Sequence, residues 1–305
     1  MAEMINEPCG VLIVNKQQGP TSHDIVNKIR RLYSTKKVGH TGTLDPMATG
    51  VLVVLIGRAA KACEYSLTDR KKYTATLRLG IKTDTEDTTG NVLKEYPVNA
   101  TEADVKATLE SFKGKIKQIP PMYSALKVGG KKLCDIAREG GSIEREAREI
   151  EVFLISAEHI SDNDYKLEVE CSAGTYIRTL CADIGNALGC GGAMASLERS
   201  AACGFSIGEA HTVEEIEALS VEERLALLRP VEEIFNELDA VRLPSFYEKL
   251  FRSGCEIYLK KAKLPEYPVG TRLRVLDSKG GFFALGEVRE YENGLAVKSI
   301  KLFVL

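Results

Sequence analysis

A glycine-rich loop at residues 39–50, GHTGTLDPMATG, contains the side chain best suited to covalent chemistry. Asp45 is the only carboxylate of this loop, and Pro46 after it biases its backbone toward an extended conformation. Glycines let another molecule approach the backbone closely, and a carboxylate can attack an electrophilic carbon to form a covalent intermediate. The loop therefore indicates a nucleophile at Asp45, with a turn in which Asp45 caps a backbone amide as the alternative.

Two other side chains could support such a nucleophile. Tyr73, directly after Lys71 and Lys72, offers a flat face for a base and a hydroxyl for proton transfer. Arg178 could hold a nearby carboxylate in its ionised form by a charge-assisted hydrogen bond. Spacing alone does not bring these residues together, and a strand tyrosine and a surface arginine are the alternatives.

Hydrophobic periodicity predicts the elements that must position these residues. Residues 51–56, directly after the Asp45 loop, are all apolar, as in a strand covered on both faces. Alternation from Tyr73 to Leu79 predicts a half-buried strand, and Thr21 or Ser22 is placed to cap a helix. Further strands are expected at residues 10–15, 148–158, 165–171 and 194–205. A short helix is expected at residues 58–66, and longer helical segments are expected at residues 101–112, after residue 175, and at residues 211–239 with a break at Pro230.

The length of 305 residues suggests about two domains. We predict a main domain at residues 1–243 and a small β-rich domain at residues 244–305, where strand-like runs alternate with glycine-containing turns. Within the main domain, residues 113–148 are long, basic and weakly periodic, which predicts a projecting insertion. Its excess of lysine and arginine indicates a surface that could meet phosphates, and an ordinary solvated surface is the alternative.

The overall composition is that of an ordinary globular protein, with 44% hydrophobic and 28% charged residues and a net charge of −2. No apolar run approaches the roughly 20 residues of a membrane span, and the first residues lack the pattern of a signal peptide. The eight cysteines include no C-x-x-C pair and no zinc-finger spacing. We therefore expect a cytoplasmic protein with reduced thiols and no structural metal.

The loop at residues 39–50 resembles the catalytic motif of the bacterial tRNA pseudouridine-55 synthases, the TruB family. Four other stretches resemble motifs of the same family in the same order, namely residues 14–22, 71–90, 120–127 and 174–180. The resemblance extends over residues 10–199, and the tail is similar, more weakly, to the family's C-terminal RNA-binding domain. It implies an α+β pseudouridine synthase fold with a mixed, largely antiparallel sheet, followed by a small β-rich PUA-like domain.

By this resemblance the protein isomerises uridine to pseudouridine at position 55 in the TΨC loop of tRNA, without a cofactor or metal. The target base is flipped out of its stack, and residues 113–148 clamp the RNA. A monomer without an obligate protein partner or a membrane association is expected. A tRNA-folding chaperone that lacks catalysis is the main alternative. A phosphoryl-transfer hydrolase is disfavoured, because the loop lacks the Gly-Lys-Ser/Thr ending of a phosphate-binding loop.

The resemblance also implies a role for each motif residue. Asp45 would be the nucleophile, which attacks either ribose C1′ or uracil C6. Tyr73 would stack on the flipped base and can move a proton, and Arg178 would pair with Asp45. For His40, packing or capping within the fold is the alternative role, and for Tyr176 and Leu197 it is core packing. The implied substrate-binding residues are His40, which fills the gap left by the flipped base, Tyr176 and Leu197, which line the pocket, and Lys16, Lys127, Lys131 and Lys132.

Overall fold

The computed structural model describes residues 7–65 and 70–303. In these ranges the chain forms a mixed nine-stranded sheet, on which helices pack, and a separate five-stranded sheet near the C-terminus. This α+β architecture agrees with the predicted fold class, including its β-rich C-terminal part.

The strands, in chain order, are β1 (Gly10–Lys16), β2 (Val38–His40), β3 (Thr49–Ile56), β4 (Lys71–Leu79), β5 (Ile81–Thr83), β6 (Val92–Glu95), β7 (Gly114–Gln118), β8 (Lys127–Val128), β9 (Lys131–Lys132), β10 (Arg148–Ser161), β11 (Asp164–Cys171), β12 (Gly192–Ala202), β13 (Phe205–Ser206), β14 (Ala240–Arg242), β15 (Ile257–Tyr258), β16 (Arg272–Leu276), β17 (Phe282–Tyr291) and β18 (Gly294–Leu302). The α-helices are α1 (Ser22–Leu32), α2 (Glu102–Glu110), α3 (Leu133–Arg138), α4 (Ile177–Ala187), α5 (Val213–Ala218), α6 (Val221–Ala226), α7 (Ser245–Arg252) and α8 (Leu259–Ala262). Short 3₁₀ segments cover Gly57–Glu64, Ile207–Glu209 and Val231–Phe235.

The main sheet is largely antiparallel. Its strands follow the order β1-β3-β12-β4-β11-β10-β7, with β2 beside β3 and β13 beside β12. Among the described residues its one parallel pair is β3 with β12, where Glu198 lies opposite Thr49 and Arg199 opposite Gly50. This pair places the second half of β12 directly beside the end of the Asp45 loop.

Strand β3 is buried on both faces, as its continuous apolar sequence predicts. Alternate side chains point to opposite faces of a strand, so Leu52 packs in one hydrophobic cluster and Val51 in the other, and the alternation continues to Ile56. The second cluster also contains Leu285 and Phe303 from the C-terminal part of the chain. The strand that leaves the Asp45 loop is therefore fixed by two cores.

The five-stranded sheet has the order β14-β16-β17-β18-β15. Its first strand, β14, pairs in parallel with β16, so the sheet begins before residue 244. The division of the chain between residues 243 and 244 stays a prediction. Because Leu285 and Phe303 pack against the main sheet, deletion of residues 244–305 would expose an apolar cluster. Point variants therefore test the role of this sheet more cleanly than a deletion does.

The helical prediction for residues 211–239 needs correction. The segment is interrupted at Leu219 as well as near Pro230, because Thr212 and Ser220 each begin a separate capping box. In such a box the side chain of the first residue accepts a hydrogen bond from a backbone amide three residues later, which fixes a new helix start. Two short helices, α5 and α6, form instead of one long helix.

The predicted helix at residues 58–66 is a 3₁₀ helix over Gly57–Glu64, and Ser66 lies outside the described residues. The predicted helix start at Thr21 or Ser22 is confirmed, since Thr21 caps α1 through a capping box with Asp24. No helix within the described ranges is long and apolar enough to cross a membrane.

Gly50 occupies a position that admits no side chain. Its φ is +101°, and a Cβ there would lie 2.3 Å from the carbonyl oxygen of Arg199 on β12. We expect Gly50→Ala to cost about 1–3 kcal/mol from backbone strain and a further ~1–3 kcal/mol from overpacking against β12. Gly294→Ala is the control, because Gly294 has a φ of +107° but a Cβ there meets no atom within 4 Å. Thermal unfolding should show the larger loss for Gly50→Ala, and equal losses would contradict the steric contact.

Candidate active site

The fold brings the Asp45 carboxylate and the Arg178 guanidinium together, although the two residues are 133 positions apart. Asp45 lies in the loop between β2 and β3, and Arg178 lies in the first turn of α4. Nε of Arg178 is 2.9 Å from Oδ2 of Asp45, and Nη2 is 3.5 Å from Oδ1. The Arg178 side chain is 6% exposed, whereas that of Asp45 is 35% exposed. A buried guanidinium therefore anchors a carboxylate that remains accessible.

The other N–H groups of Arg178 are also directed at oxygen atoms. Nη1 donates to the carbonyl oxygen of Thr85 at 3.0 Å, and Nη2 donates to that of Tyr123 at 2.7 Å. Nη1 is also 3.8 Å from Oδ2 of Asp87. A guanidinium has five N–H groups in a fixed fork, so this set of acceptors determines the orientation that Arg178 presents to Asp45.

Asp87 belongs to an acidic loop for which the motif alone assigns no role. Its side chain is buried, and Oδ1 accepts hydrogen bonds from the hydroxyls of Thr85 and Thr89. The neighbouring Glu86 accepts a hydrogen bond from the Thr179 hydroxyl at 2.5 Å. Within the described residues, no group of three or more His, Cys, Asp or Glu side chains is placed to hold a metal ion. The loop therefore contacts two adjacent residues at the start of α4, Arg178 and Thr179.

The environment of Asp45 changes its proton affinity in two directions. Burial raises the pKa of Asp45 above its usual range, and the nearby Asp87 acts in the same direction. The cations Arg178 and Lys16 lower the pKa and so favour the ionised form. A partly desolvated carboxylate between two cations is suited to attack on carbon.

Lys16 lies beneath the Asp45 loop. The residue is fully buried, and its ammonium donates to the carbonyl oxygens of Pro46 at 3.2 Å and Ala48 at 2.6 Å. Burial lowers the pKa of Lys16 to about 8, while Asp45 opposes this shift. The contacts of Lys16 are thus with the backbone of the loop, and its predicted contact with substrate stays a prediction.

Two side chains for which the sequence predicted no contact with the loop also hold it. The Ser22 hydroxyl accepts from the backbone amide of Leu44 at 2.8 Å and donates to its carbonyl oxygen at 3.0 Å. Arg199 is 1% exposed, and its guanidinium donates to the carbonyl oxygens of Val51 at 2.7 Å and Gly42 at 3.1 Å. The only signal for Arg199 in the sequence is a charged residue inside a predicted strand, which is rare unless the charge is paired.

Tyr73 and Leu197 lie on neighbouring strands next to the loop. Tyr73 on β4 pairs with Arg199 on β12, and Leu197 lies two residues earlier on β12. Both are buried in the same hydrophobic cluster. The Thr49 hydroxyl at the end of the loop is 3.5 Å from the carbonyl oxygen of Leu197, which places this part of β12 beside the loop.

Tyr176 and His40 flank the same region. Tyr176 precedes α4, and burial raises the pKa of its hydroxyl, which favours the protonated form. His40 ends β2, and burial lowers the pKa of its imidazole, with the nearby Arg199 acting in the same direction. Tyr176 exchanges two hydrogen bonds with the side chain of Gln118, which sequence reasoning also missed.

The predicted lysines of the insertion lie away from Asp45 in sequence, on a small hairpin. Strands β8 and β9 form a two-stranded ribbon in which Lys127 lies opposite Lys132 and Val128 opposite Lys131. These strand residues are exposed. Like charges directly opposite each other on paired strands repel, so this hairpin is suited to bind an anion.

Two family models match the chain. The model described as "TruB family pseudouridylate synthase (N terminal domain)" matches residues 30–177. The model described as "tRNA pseudouridylate synthase B C-terminal domain" matches residues 178–236. The two matches meet between Ile177 and Arg178, at the start of α4.

Relatives match over most of the chain. The tRNA pseudouridine synthase B of Clostridium kluyveri is 39% identical over 296 residues, which is 97% of this chain and 99% of that protein. The protein of the same name from Alkaliphilus oremlandii is 45% identical over 249 residues, or 82% and 83% of the two chains. Among solved structures, a chain in the crystal structure of a Cbf5-Nop10-Gar1 complex aligns with a TM-score of 0.75 and 25% identity, over 97% of this chain and 85% of that one.

Proposed function

The chain belongs to the TruB family of pseudouridylate synthases and is a pseudouridine synthase, and from this we propose that it isomerises uridine 55 in the TΨC loop of tRNA with Asp45 as the nucleophile. The observation that carries the proposal is the Asp45–Arg178 ion pair, in which a buried guanidinium holds an accessible carboxylate. We further propose that the protein acts as a monomer in the cytoplasm, and that residues 244–305 form a PUA-like RNA-binding domain.

In the proposed reaction the bond between ribose C1′ and N1 of uracil breaks, the base rotates, and C5 bonds to C1′. Asp45 attacks ribose C1′ or uracil C6 to form the covalent intermediate, and the carboxylate is released when the new bond is made. C5 loses a proton and N1 gains one, so the reaction needs no oxidant or reductant. Tyr73 stacks on the base and moves the proton, while Arg178 holds Asp45 in line.

The target uridine must leave its stack to reach Asp45, which costs a few kcal/mol. We propose that His40 fills the gap in the RNA and that Tyr176 and Leu197 contact the flipped base. Bases in single-stranded loops can be read individually in this way. The neutral imidazole that burial favours at His40 suits insertion between bases, because less charge must be desolvated.

The test is to incubate the protein with an unmodified tRNA transcript and to map pseudouridine along it. A matched transcript with cytidine at position 55 is the control. The proposal requires pseudouridine at position 55 of the transcript that carries uridine there. In the transcript with cytidine at position 55, no pseudouridine should form in the TΨC loop. Pseudouridine found only in another arm of the tRNA would overturn the assigned position. If no pseudouridine formed in the tRNA, the proposed activity on tRNA would be overturned.

Lys131 and Lys132 provide a test of the insertion as the RNA clamp. Changing both to alanine should weaken tRNA binding and reduce the slope of log affinity against log salt by about one per lysine, because fewer counterions are released. A variant that lacks Lys106 and Lys166, two lysines outside the insertion whose side chains are 59% and 44% exposed, should keep the slope. Equal slopes for both variants in a salt titration would remove the hairpin from the RNA interface.

A further inference from the structure

Residues 114–118 of the predicted insertion form β7 of the main sheet, so the projecting part leaves the sheet after Gln118 and returns at Arg148. Gln118 ends β7 and Arg148 begins β10, and the two residues lie opposite each other in the antiparallel pair. Inside the insertion, Nη1 of Arg145 donates to the carbonyl oxygen of Pro120 at 2.9 Å. The outgoing and returning chains are therefore held together at the base of the insertion.

The side chain of Gln118 connects this base to the active site. Gln118 is 2% exposed. Its Oε1 accepts from the backbone amide of Tyr176 at 2.8 Å, and its Nε2 donates to the carbonyl oxygen of Tyr176 at 3.1 Å. The primary amide thus makes the pair of hydrogen bonds that a neighbouring backbone would make, and it fixes the chain just before α4.

A second connection lies five residues further along the insertion. The carbonyl oxygen of Tyr123 accepts from Nη2 of Arg178 at 2.7 Å, and the same guanidinium contacts Asp45. Pro120 and Pro121 lie between the two connections and are buried. Their fixed φ angles stiffen the segment, so a displacement of the insertion at Gln118 is carried to Tyr123.

We propose that Gln118 is a positioning residue that links the insertion to the active site. With the segment 120–123, it transmits contact of RNA with the insertion to Tyr176 and Arg178, so that Arg178 holds Asp45 in the reactive geometry when RNA is bound. This inference rests on the proposed function, because it requires RNA to dock on the insertion. Gln118 itself does not touch the substrate.

Hydrogen–deuterium exchange tests the link without catalysis. In the wild-type protein, unmodified tRNA should slow amide exchange both in peptides covering residues 119–126 and in peptides covering 174–180. In Gln118→Leu, tRNA should still slow exchange at 119–126 but should slow it less at 174–180 than in the wild type, because only the proposed contact of Tyr176 with the flipped base remains there. Ser172→Ala is the control, since it removes the hydrogen bond from the Glu151 amide to the Ser172 hydroxyl without touching Gln118 or Arg178. It should behave as the wild type.

Single-turnover kinetics at saturating tRNA provide the second readout. Gln118→Leu should react about 10- to 100-fold more slowly, since a small misplacement of a catalytic group can cost about 10²-fold. Its tRNA dissociation constant should change less than about threefold, because the phosphate contacts that dominate affinity are intact. Gln118→Glu keeps the acceptor for Tyr176 and regains a donor when protonated, so its rate relative to wild type should rise as the pH falls.

The outcomes separate this inference from the proposed function. An unchanged rate in Gln118→Leu, or tRNA-dependent protection at residues 174–180 as strong as in the wild type, would overturn the link alone. Equal losses of affinity and rate would reduce Gln118 to a docking role and would also overturn it. A wild-type protein that neither binds nor modifies tRNA would overturn the proposed function and the link with it.

Discussion

Replacement of Asp45 by asparagine is expected to reduce pseudouridine formation by about 10⁴-fold or more, the scale seen when a nucleophile that acts within a catalytic unit is removed. Asparagine has nearly the same volume but cannot attack carbon at a useful rate or pair ionically with Arg178. Binding of tRNA should persist, because most of the affinity comes from phosphate contacts elsewhere. Asp45→Ala should give the same result. The measurements are single-turnover pseudouridine formation and tRNA affinity on the same samples.

Asp164→Asn is the matched control. Asp164 also forms a two-point pair with an arginine, Arg78, with distances of 2.8 and 2.7 Å, but at the far end of β4 from Tyr73. Its loss should leave the rate near that of the wild type. Substantial product from Asp45→Asn would exclude Asp45 as the nucleophile.

Removal of the Arg178 charge is expected to give the second large effect. In Arg178→Met, Asp87 remains buried without its cation, and breaking such a buried pair costs about 3–5 kcal/mol of stability. The carbonyl oxygens of Thr85 and Tyr123 lose their donor as well. The rate should fall by about 10²-fold or more, because Asp45 is no longer held in line. Thermal unfolding and single-turnover rates measure the two effects.

The pH dependence of Arg178→Met has a definite sign. Arg178 lowers the pKa of Asp45, which burial raises. Without Arg178 this pKa rises further, and because attack requires the ionised carboxylate, the acid limb of the rate profile should move to higher pH. The control is Arg78→Met, which breaks a surface pair worth about 0–1 kcal/mol. An acid limb that does not move in Arg178→Met would show that Asp45 is not the group that titrates there.

The sequence was sufficient to predict the elements that carry the site. The apolar run at residues 51–56 and the alternation from Tyr73 to Leu79 depend on local burial, and the structure has strands at both places. The distance between Asp45 and Arg178 could not be predicted in this way. It depends on how β12 pairs in parallel with β3 and how α4 packs on β12, and periodicity does not determine strand order.

The supports of the site were the hardest part to predict. Lys16, Ser22, Arg199 and Gln118 act on backbone groups of residues that are mostly distant in sequence. A bond from a side chain to a carbonyl oxygen or an amide places no demand on the type of the partner residue. No spacing or pattern therefore marks these contacts, and the motif resemblance named Lys16 but not the backbone groups that it holds.

The single glycine at the start of β3 has a consequence for strand register. In most half-buried strands, a slip by one residue is costly because it turns apolar side chains toward water. Residues 51–56 are apolar on both faces, so polarity does not distinguish one alignment of β3 from the next. A slip would place the Cβ of Thr49 or Val51 where Gly50 now meets the carbonyl oxygen of Arg199. Gly50 thus fixes the alignment that the apolar sequence does not specify, and this alignment sets the position of the Asp45 loop along β12.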